Sequence, residues 1–370
     1  MAYIFALTSL VAGPLLLTAL VIPLVKRLSW GLNLVDHPAT ADHKSHQSPT
    51  PYGGGVAIFL GTLLPVVLIL LYILRLLANS SVHPLPSWML ETTFFLAGIK
   101  QVSILLGCAS ILLLIGLIDD WRGLPPLPRF LIEITTATVL VFEAPEFRLT
   151  LLGDHASISV PLTVFWIVSI TNAFNFLDNM DGLTAGMTII VQLLLALVAL
   201  HGNHFPAAAL SLILVGTTAG FLLYNFPPAS IFMGDAGGLF LGFITASLSA
   251  LLSQNFARTG APIPYLIAPL GILIVPIYDL ISVILIRLDK GMPPWVGDKN
   301  HISHRLVRLG LSRRFAVLVI YSLTLLTGLP ALFLLRTQSW IAWLLLLLTP
   351  IFASIMALFD LNSRRRHPPP

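Results

Sequence analysis

Residues 172–186 read Asn172-Ala-Phe-Asn175-Phe-Leu-Asp178-Asn179-Met-Asp181-Gly182-Leu-Thr-Ala-Gly186, a polar run set between apolar runs at about 158–171 and 187–201. The apolar flanks predict two helices. Asn172, Asn175 and Asp178 recur every three residues, so a helix carried through them places their oxygens on one face. Asp181 and Gly182 mark the break, with glycine supplying the turn. Carboxylates and amides are costly at membrane depth and sit there mostly for function. A set of oxygen-only ligands suits a hard cation such as Mg²⁺. The same residues also fit an N-cap and loop at a helix end, and this stretch alone does not choose between the two.

The composition sets the class. Charged residues make up 10% of the chain, against roughly 25% in soluble domains. Hydrophobic residues make up 56%, and the mean hydropathy is +0.92. The expectation is an all-α, polytopic integral membrane protein. Apolar runs of helical length lie near 4–24, 54–76, 100–118, 128–143, 158–175, 187–201, 208–224, 238–254, 263–286, 315–335 and 341–359, which makes about eleven spans. Residues 1–370 read as one transmembrane unit, without an internal repeat or a soluble domain. The first run lacks a basic leading region and is too long for a signal segment, so it reads as a span. The single cysteine, Cys108, excludes an intrachain disulfide.

Lys and Arg orient the bundle. With the N-terminus outside, fifteen of the twenty lie at inner helix ends and loops, and only Arg75, Lys100, Arg148, Arg258 and Arg336 lie outside. The pI near 9.4 therefore points to anionic lipids and substrates at the inner face, not to nucleic acid. This orientation also gathers every polar cluster on that face.

The first inner loop holds Asp36, His43-Lys44-Ser-His46 and Pro49-Thr50-Pro51-Tyr52-Gly53-Gly54-Gly55. Lys44 and the glycines suit a phosphate, although a glycine-rich helix entry is also an ordinary turn, and no P-loop pattern is present. Asp119-Asp120-Trp121-Arg122-Gly123-Leu124 ends the third span; adjacent carboxylates repel unless a cation compensates them, or they are simply solvated. Gly234-Asp235-Ala236-Gly237-Gly238 lies between the seventh and eighth spans, where the glycines allow close backbone approach or just form a turn. The ninth span, 263–286, carries Pro269, Gly271, Pro276 and Asp279 and reads as kinked. The last inner loop contains Asp298-Lys299-Asn300-His301-Ile302-Ser303-His304-Arg305, a basic cluster suited to a pyrophosphate. His43/His46 and His301/His304 also have a spacing that zinc accepts, but neither a HExxH pattern nor a cysteine pair accompanies them.

Taken together, these loops resemble the bacterial polyprenyl-phosphate N-acetylhexosamine-1-phosphate transferases, over residues from about 31 to 306. Asp119-Asp120 with Gly123-Leu124 matches DDxxGL. Asn172, Asn175, Asp178, Asp181, Gly182 and Gly186 match NxxNxxDGxDG, with Asn179 at the first glycine. Gly234-Asp235-Ala236-Gly237 matches GDxGS, with Gly238 in place of Ser. His301-Ile302-Ser303-His304 resembles HxHH of the GlcNAc-type branch, with Ser303 at the middle His, and His43-Lys44-Ser-His46 resembles RKxH, with His43 replacing Arg. No His-His-His-Glu of the pentapeptide-transferring branch occurs.

The resemblance implies a bundle of about ten or eleven membrane helices, often a homodimer, in the bacterial inner (plasma) membrane with its active site on cytoplasmic loops. It implies transfer of a sugar-1-phosphate, foremost GlcNAc-1-phosphate, from a UDP-N-acetylhexosamine to undecaprenyl phosphate, with Mg²⁺ or a substituting Mn²⁺. On this reading Asp235 is the first metal ligand and Asn175 or Asp178 the second. Asp119 and Asp120 act on the lipid phosphate, together with Asp178 and His301 in catalysis. Lys44, Asn172, Asp181, His304 and Arg305 hold substrate. The rival within the class is phospho-MurNAc-pentapeptide transfer. The rival outside it is an ion-coupled carrier, which calls for polar groups at the bilayer midplane and inverted repeats. A scaffold with a decayed site would have lost acidic residues that this chain keeps.

Overall fold

The structure is a computed structural model, and it describes residues 2–38, 48–78 and 92–335. Helices α1 (Ala2–Gly31), α2 (Gly54–Ala78), α3 (Thr92–Arg122), α4 (Pro126–Glu143), α5 (Ala156–Leu177), α6 (Leu183–His201), α7 (Phe205–Asn225) and α8 (Gly234–Arg258) follow one another along the chain. The rest are α9 (Ile263–Gly271), α10 (Ile274–Asp289), the short α11 (Ile302–Arg308) and α12 (Arg313–Leu334). Among the described residues, α1, α2, α3, α5, α6, α7, α8 and α12 are long and apolar enough to cross a membrane. The α9–α10 pair adds a broken span bent by 65°. Its break falls at Ile272–Leu273, where Pro276 has no N–H and its ring collides with the carbonyl four residues earlier. The span expected at 341–359 lies outside the described residues.

The run expected at 128–143 is helical but starts at Pro126 and carries Arg129 and Glu133, too polar to count as a span by composition. Glu133, Thr136, Ala137, Leu140 and Val141 recur at helical spacing and are the buried stripe of α4. The opposite side shows Leu131, Val139 and Phe142 to the surroundings.

Lipid tails are as apolar as leucine, so burial alone does not select neighbours inside a membrane; close packing of small residues does. The spanning part of α8 is wholly buried among the other helices. Its entry runs Gly234-Asp-Ala-Gly-Gly, and partner helices meet it through glycines of their own. A Cβ on Gly116 of α3 would stand 2.5 Å from the Ala236 Cα, and one on Gly55 of α2 would collide with the Gly237 backbone. By contrast, Leu20 and Phe165 are more than two-thirds exposed, as lipid-facing side chains are.

The connections following α1, α3, α5, α7 and α10 meet at one end of the bundle. There Val35–Asp36 (β1) and Thr50–Pro51 (β2) pair antiparallel, with Val35 opposite Pro51 and Asp36 opposite Thr50. The chain then lies against the entry to α8. The Phe232 N–H donates to the Pro51 carbonyl, and the Gly54 and Gly55 N–H groups donate to Phe232 and Met233, all at 2.9 Å. These bonds bring a loop from the N-terminal region to residues some 180 positions later.

Candidate active site

A cavity of about 890 Å³ opens at this end. Its acidic lining comes from five separate segments: Asp36, then Asp119 and Asp120, then Asp178 and Asp181, then Asp235, then Asp298. His304 and Arg313 join Asp298 from the α10–α12 side.

Asp119, Asp120, Asp181 and Asp235 are each held by an identifiable partner. Asp120 grips the first turn of α8: its Oδ1 accepts the Asp235 N–H at 2.8 Å and its Oδ2 the Ala236 N–H at 3.2 Å. Free amides and the positive helix end favour an anion there. Gly234, at φ +72°, has room for no side chain because one would strike the Asp120 carboxylate. Asp119 accepts the Leu124 N–H at 2.6 Å, closing the turn after α3. The Arg129 Nη1 then bridges Asp119 at 2.7 Å and Asp235 at 3.0 Å, and its Nε lies 3.7 Å from Glu133. The adjacent carboxylates whose repulsion the sequence left open are thus compensated separately, Asp119 by the Arg129 guanidinium and Asp120 by the α8 amides.

The polar run 172–186 divides. Helix α5 carries Asn172 and Asn175 and ends at Leu177, and Asp178 follows as its C-cap, outside the helix. Asn172 is nevertheless drawn to α4, where its amide donates to Glu133 and, at 2.9 Å, to the Val168 carbonyl. It does not line the cavity. Asn175 faces the first turn of α8: a Cβ on Gly238 would lie 3.2 Å from its Oδ1. Asp178 stands in the cavity wall; burial, and then the neighbouring Asp181, push its carboxyl up to about 7. Asp181 accepts the Ala229 N–H at 3.0 Å. Buried Asn225 ties the α6 entry to the loop before α8, accepting from the Gly182 N–H and donating to the Ile231 carbonyl, both at 2.9 Å.

The basic segment is less exposed to the cavity than its composition implies. His301 is 4% exposed. Its Nδ1 is 2.7 Å from Asp279, which also accepts the Ile302 N–H at 2.7 Å. Arg305 turns towards α10, donating to the Ser282 hydroxyl at 2.8 Å and lying over the Tyr278 ring. Arg287, almost fully buried, holds Asp298 at 3.2 Å and lies over Phe176 at the end of α5. Burial alone would raise Asp298, but Arg287 and Asn300 hold its carboxyl below the usual range. Of the two histidines only His304 reaches the cavity. Burial, followed by the charges of His301, Arg308, Lys299 and Arg313, pushes it down to about 4. It is therefore neutral at pH 7 and offers hydrogen bonds, not charge. Lys44, with His43 and His46, lies outside the described residues.

Arg129, Glu133, Tyr52 and Arg313 were not picked out from the sequence as site residues. Arg129 and Glu133 had a signal, two charges four apart in an otherwise apolar run. Tyr52 lines the cavity beside Asp36; burial, and then the charge and hydrogen bond of Asp36, raise its phenol well above the ordinary value.

Among the described residues no three His, Cys, Asp or Glu side chains form a ready metal cage. Mg²⁺ does not ask for one: it keeps several waters and takes one or two carboxylates plus substrate phosphates. The Asp235 side chain is 34% exposed, it lines the cavity together with Asp178, and the available donors are oxygens. The residues present fit such an ion.

Comparison with known proteins agrees with this geometry. The profile of glycosyl transferase family 4 matches residues 102–253, which run from α3 to α8. The chain is 35% identical over 350 residues to a probable undecaprenyl-phosphate N-acetylglucosaminyl 1-phosphate transferase of Bacillus subtilis, covering 92% of this chain and 89% of that protein. It is 34% identical over 322 residues to a decaprenyl-phosphate N-acetylglucosaminephosphotransferase of Mycobacterium tuberculosis, covering 80% and 74%. To a phospho-N-acetylmuramoyl-pentapeptide-transferase of Staphylococcus aureus it is 26% identical over 355 residues, covering 90% and 99%. With its helical bundle, its convergent carboxylates and relatives matched along most of its length, the chain belongs to glycosyl transferase family 4, as a multi-pass membrane phosphoglycosyl transferase.

Proposed function

We propose that the protein transfers GlcNAc-1-phosphate from UDP-GlcNAc to undecaprenyl phosphate at the cytoplasmic face of a bacterial plasma membrane. The observation that carries this reading is the convergence of Asp119, Asp120, Asp178, Asp181 and Asp235 on one cavity, in a chain most similar, among the relatives above, to GlcNAc-phosphate transferases. A bond forms between a lipid-phosphate oxygen and the donor's β-phosphorus. The bond from that phosphorus to the bridging oxygen breaks, and UMP leaves with the electron pair.

Phosphoryl transfer needs alignment and charge compensation more than covalent help. Asp235, with Asn175 or Asp178, would hold Mg²⁺, which when bound neutralises charge on the diphosphate. Asp120, fixed on the α8 amides, and Asp119, fixed by Arg129, orient the lipid phosphate. That group is already largely dianionic at neutral pH, its second pKa being about 6, so a strong general base is not required. His304 and Arg313 line the same cavity and would face the donor, with His301 and Arg305 behind them; the part in donor binding expected of Lys44 falls outside the described residues. Asp181 contacts the uridine end, and Asn172 supports the α4–α5 seam.

The cytoplasmic placement rests on charge: Lys26, Arg27, Arg122, Arg129, Arg287, Lys290, Arg308, Arg313 and Arg314 cluster at the cavity's end of the bundle. Purified protein given Mg²⁺, undecaprenyl phosphate and radiolabelled UDP-GlcNAc should produce butanol-extractable label that EDTA suppresses. Label from UDP-MurNAc-pentapeptide or UDP-GalNAc instead would reassign the sugar and keep the reaction.

A further inference from the structure

We infer that Asn179 and Ser303 form a positioning pair that sets donor affinity by tying the acidic turn to the basic helix. The inference rests on the transferase reading above. Ser303 is fully buried, and its hydroxyl donates to the Asn179 Oδ1 at 2.5 Å across 124 residues of sequence. The Asn179 amide is itself fixed, because its Nδ2 donates to the Phe176 carbonyl at 2.8 Å. Its oxygen therefore has one direction to face.

Both partners sit between groups that line the cavity or lie just behind it. Asn179 stands in the cavity wall between Asp178 and Asp181, and Ser303 directly precedes His304, which is in that wall too. One hydrogen bond thus fixes the distance between the acidic turn and the His304 imidazole. Asn179 and Ser303 are also two of the positions at which the motif pattern is broken, one by a larger residue and one by a smaller. Since the two side chains meet each other, the volumes compensate. Because Ser303 is fully buried against Asn179, a histidine at 303 would need the space that the asparagine fills. Glycine at 179 would vacate that room without backbone strain, since Asn179 is not at positive φ.

The test is steady-state transfer by the purified full chain, with melting followed in the same detergent. Ser303→Ala and Asn179→Ala should each raise the KM for UDP-GlcNAc about tenfold, the factor one hydrogen bond of ordinary strength supplies. kcat should hold, because Asp119, Asp120 and Asp235 are untouched. The double variant should match the singles, since both remove one interaction. Ser303→His should lose most activity, and Asn179→Gly added to it should restore KM to within about threefold of wild type. Multiplying KM effects in the double variant, a melting shift without a KM shift, or no rescue of Ser303→His by Asn179→Gly would each overturn the pair. Absence of transfer in wild-type protein would instead reject the reading beneath it.

Discussion

The two halves of the cavity are built on opposite plans. On the acidic side, carboxylates at helix ends point into the cavity and are held by backbone amides and one guanidinium: Asp120 on α8, Asp119 on its own turn, Arg129 between Asp119 and Asp235. On the basic side, most of the charge and nitrogen turn inward, His301 to Asp279, Arg305 to Ser282 and Arg287 to Asp298. His304 and Arg313 are left at the wall. A motif therefore names residue types, while partners far away in sequence decide which way each points. It also gives the site a division of labour, with acidic groups presented for chemistry and basic groups used largely to shape the wall.

The largest effect that would test this division lies on the acidic side. Asp235→Asn should lower transfer by at least about 10³-fold while leaving membrane insertion intact; near-normal turnover would remove Asp235 from the chemistry. Arg129→Ala comes next, since it leaves Asp119 and Asp235 facing each other uncompensated. It should lower stability by about 3 kcal/mol and depress kcat as well, whereas Arg129→Lys should recover part of both. A melting temperature unchanged in Arg129→Ala would mean that the bridge contributes nothing.

On the basic side, stability should move more than kcat. Asp279→Ala strands His301 and the Ile302 N–H in a buried setting and should cost about 1–3 kcal/mol per group left unpaired. A further effect is a pH dependence. His304 titrates near 4 in the folded chain against an ordinary 6.5, so the unfolded chain takes up the proton first. Stability then falls as pH drops from about 6.5 towards about 4, and His304→Gln should flatten that part of the melting profile. An unchanged slope in the variant would show that His304 is not the group responsible.

Much of the bundle was legible because apolar length is a direct signal in a membrane protein. The bend of the ninth span was written in Pro269, Gly271 and Pro276, and the structure breaks there by 65°. The convergence of the Asp119, Asp178 and Asp235 loops followed from placing every polar cluster at one face. The α4 contribution was missed because its run was read for length, when the two charges inside it, Arg129 and Glu133, were the informative residues. Side-chain direction was not legible at all for Asn172, His301 or Arg305. Each is turned by a residue on another helix, Glu133, Asp279 or Ser282, and no local periodicity records such a partner.

On the transferase reading, this cavity joins a sugar phosphate to a membrane lipid with loss of UMP. The most direct test follows UMP release and lipid-bound label together, in purified protein reconstituted with and without undecaprenyl phosphate. The two products should appear in equal amounts, both should require the lipid acceptor, and both should vanish in Asp235→Asn. Labelled sugar nucleotide that crosses the vesicle membrane intact, with neither UMP nor lipid label formed, would contradict it and favour a carrier.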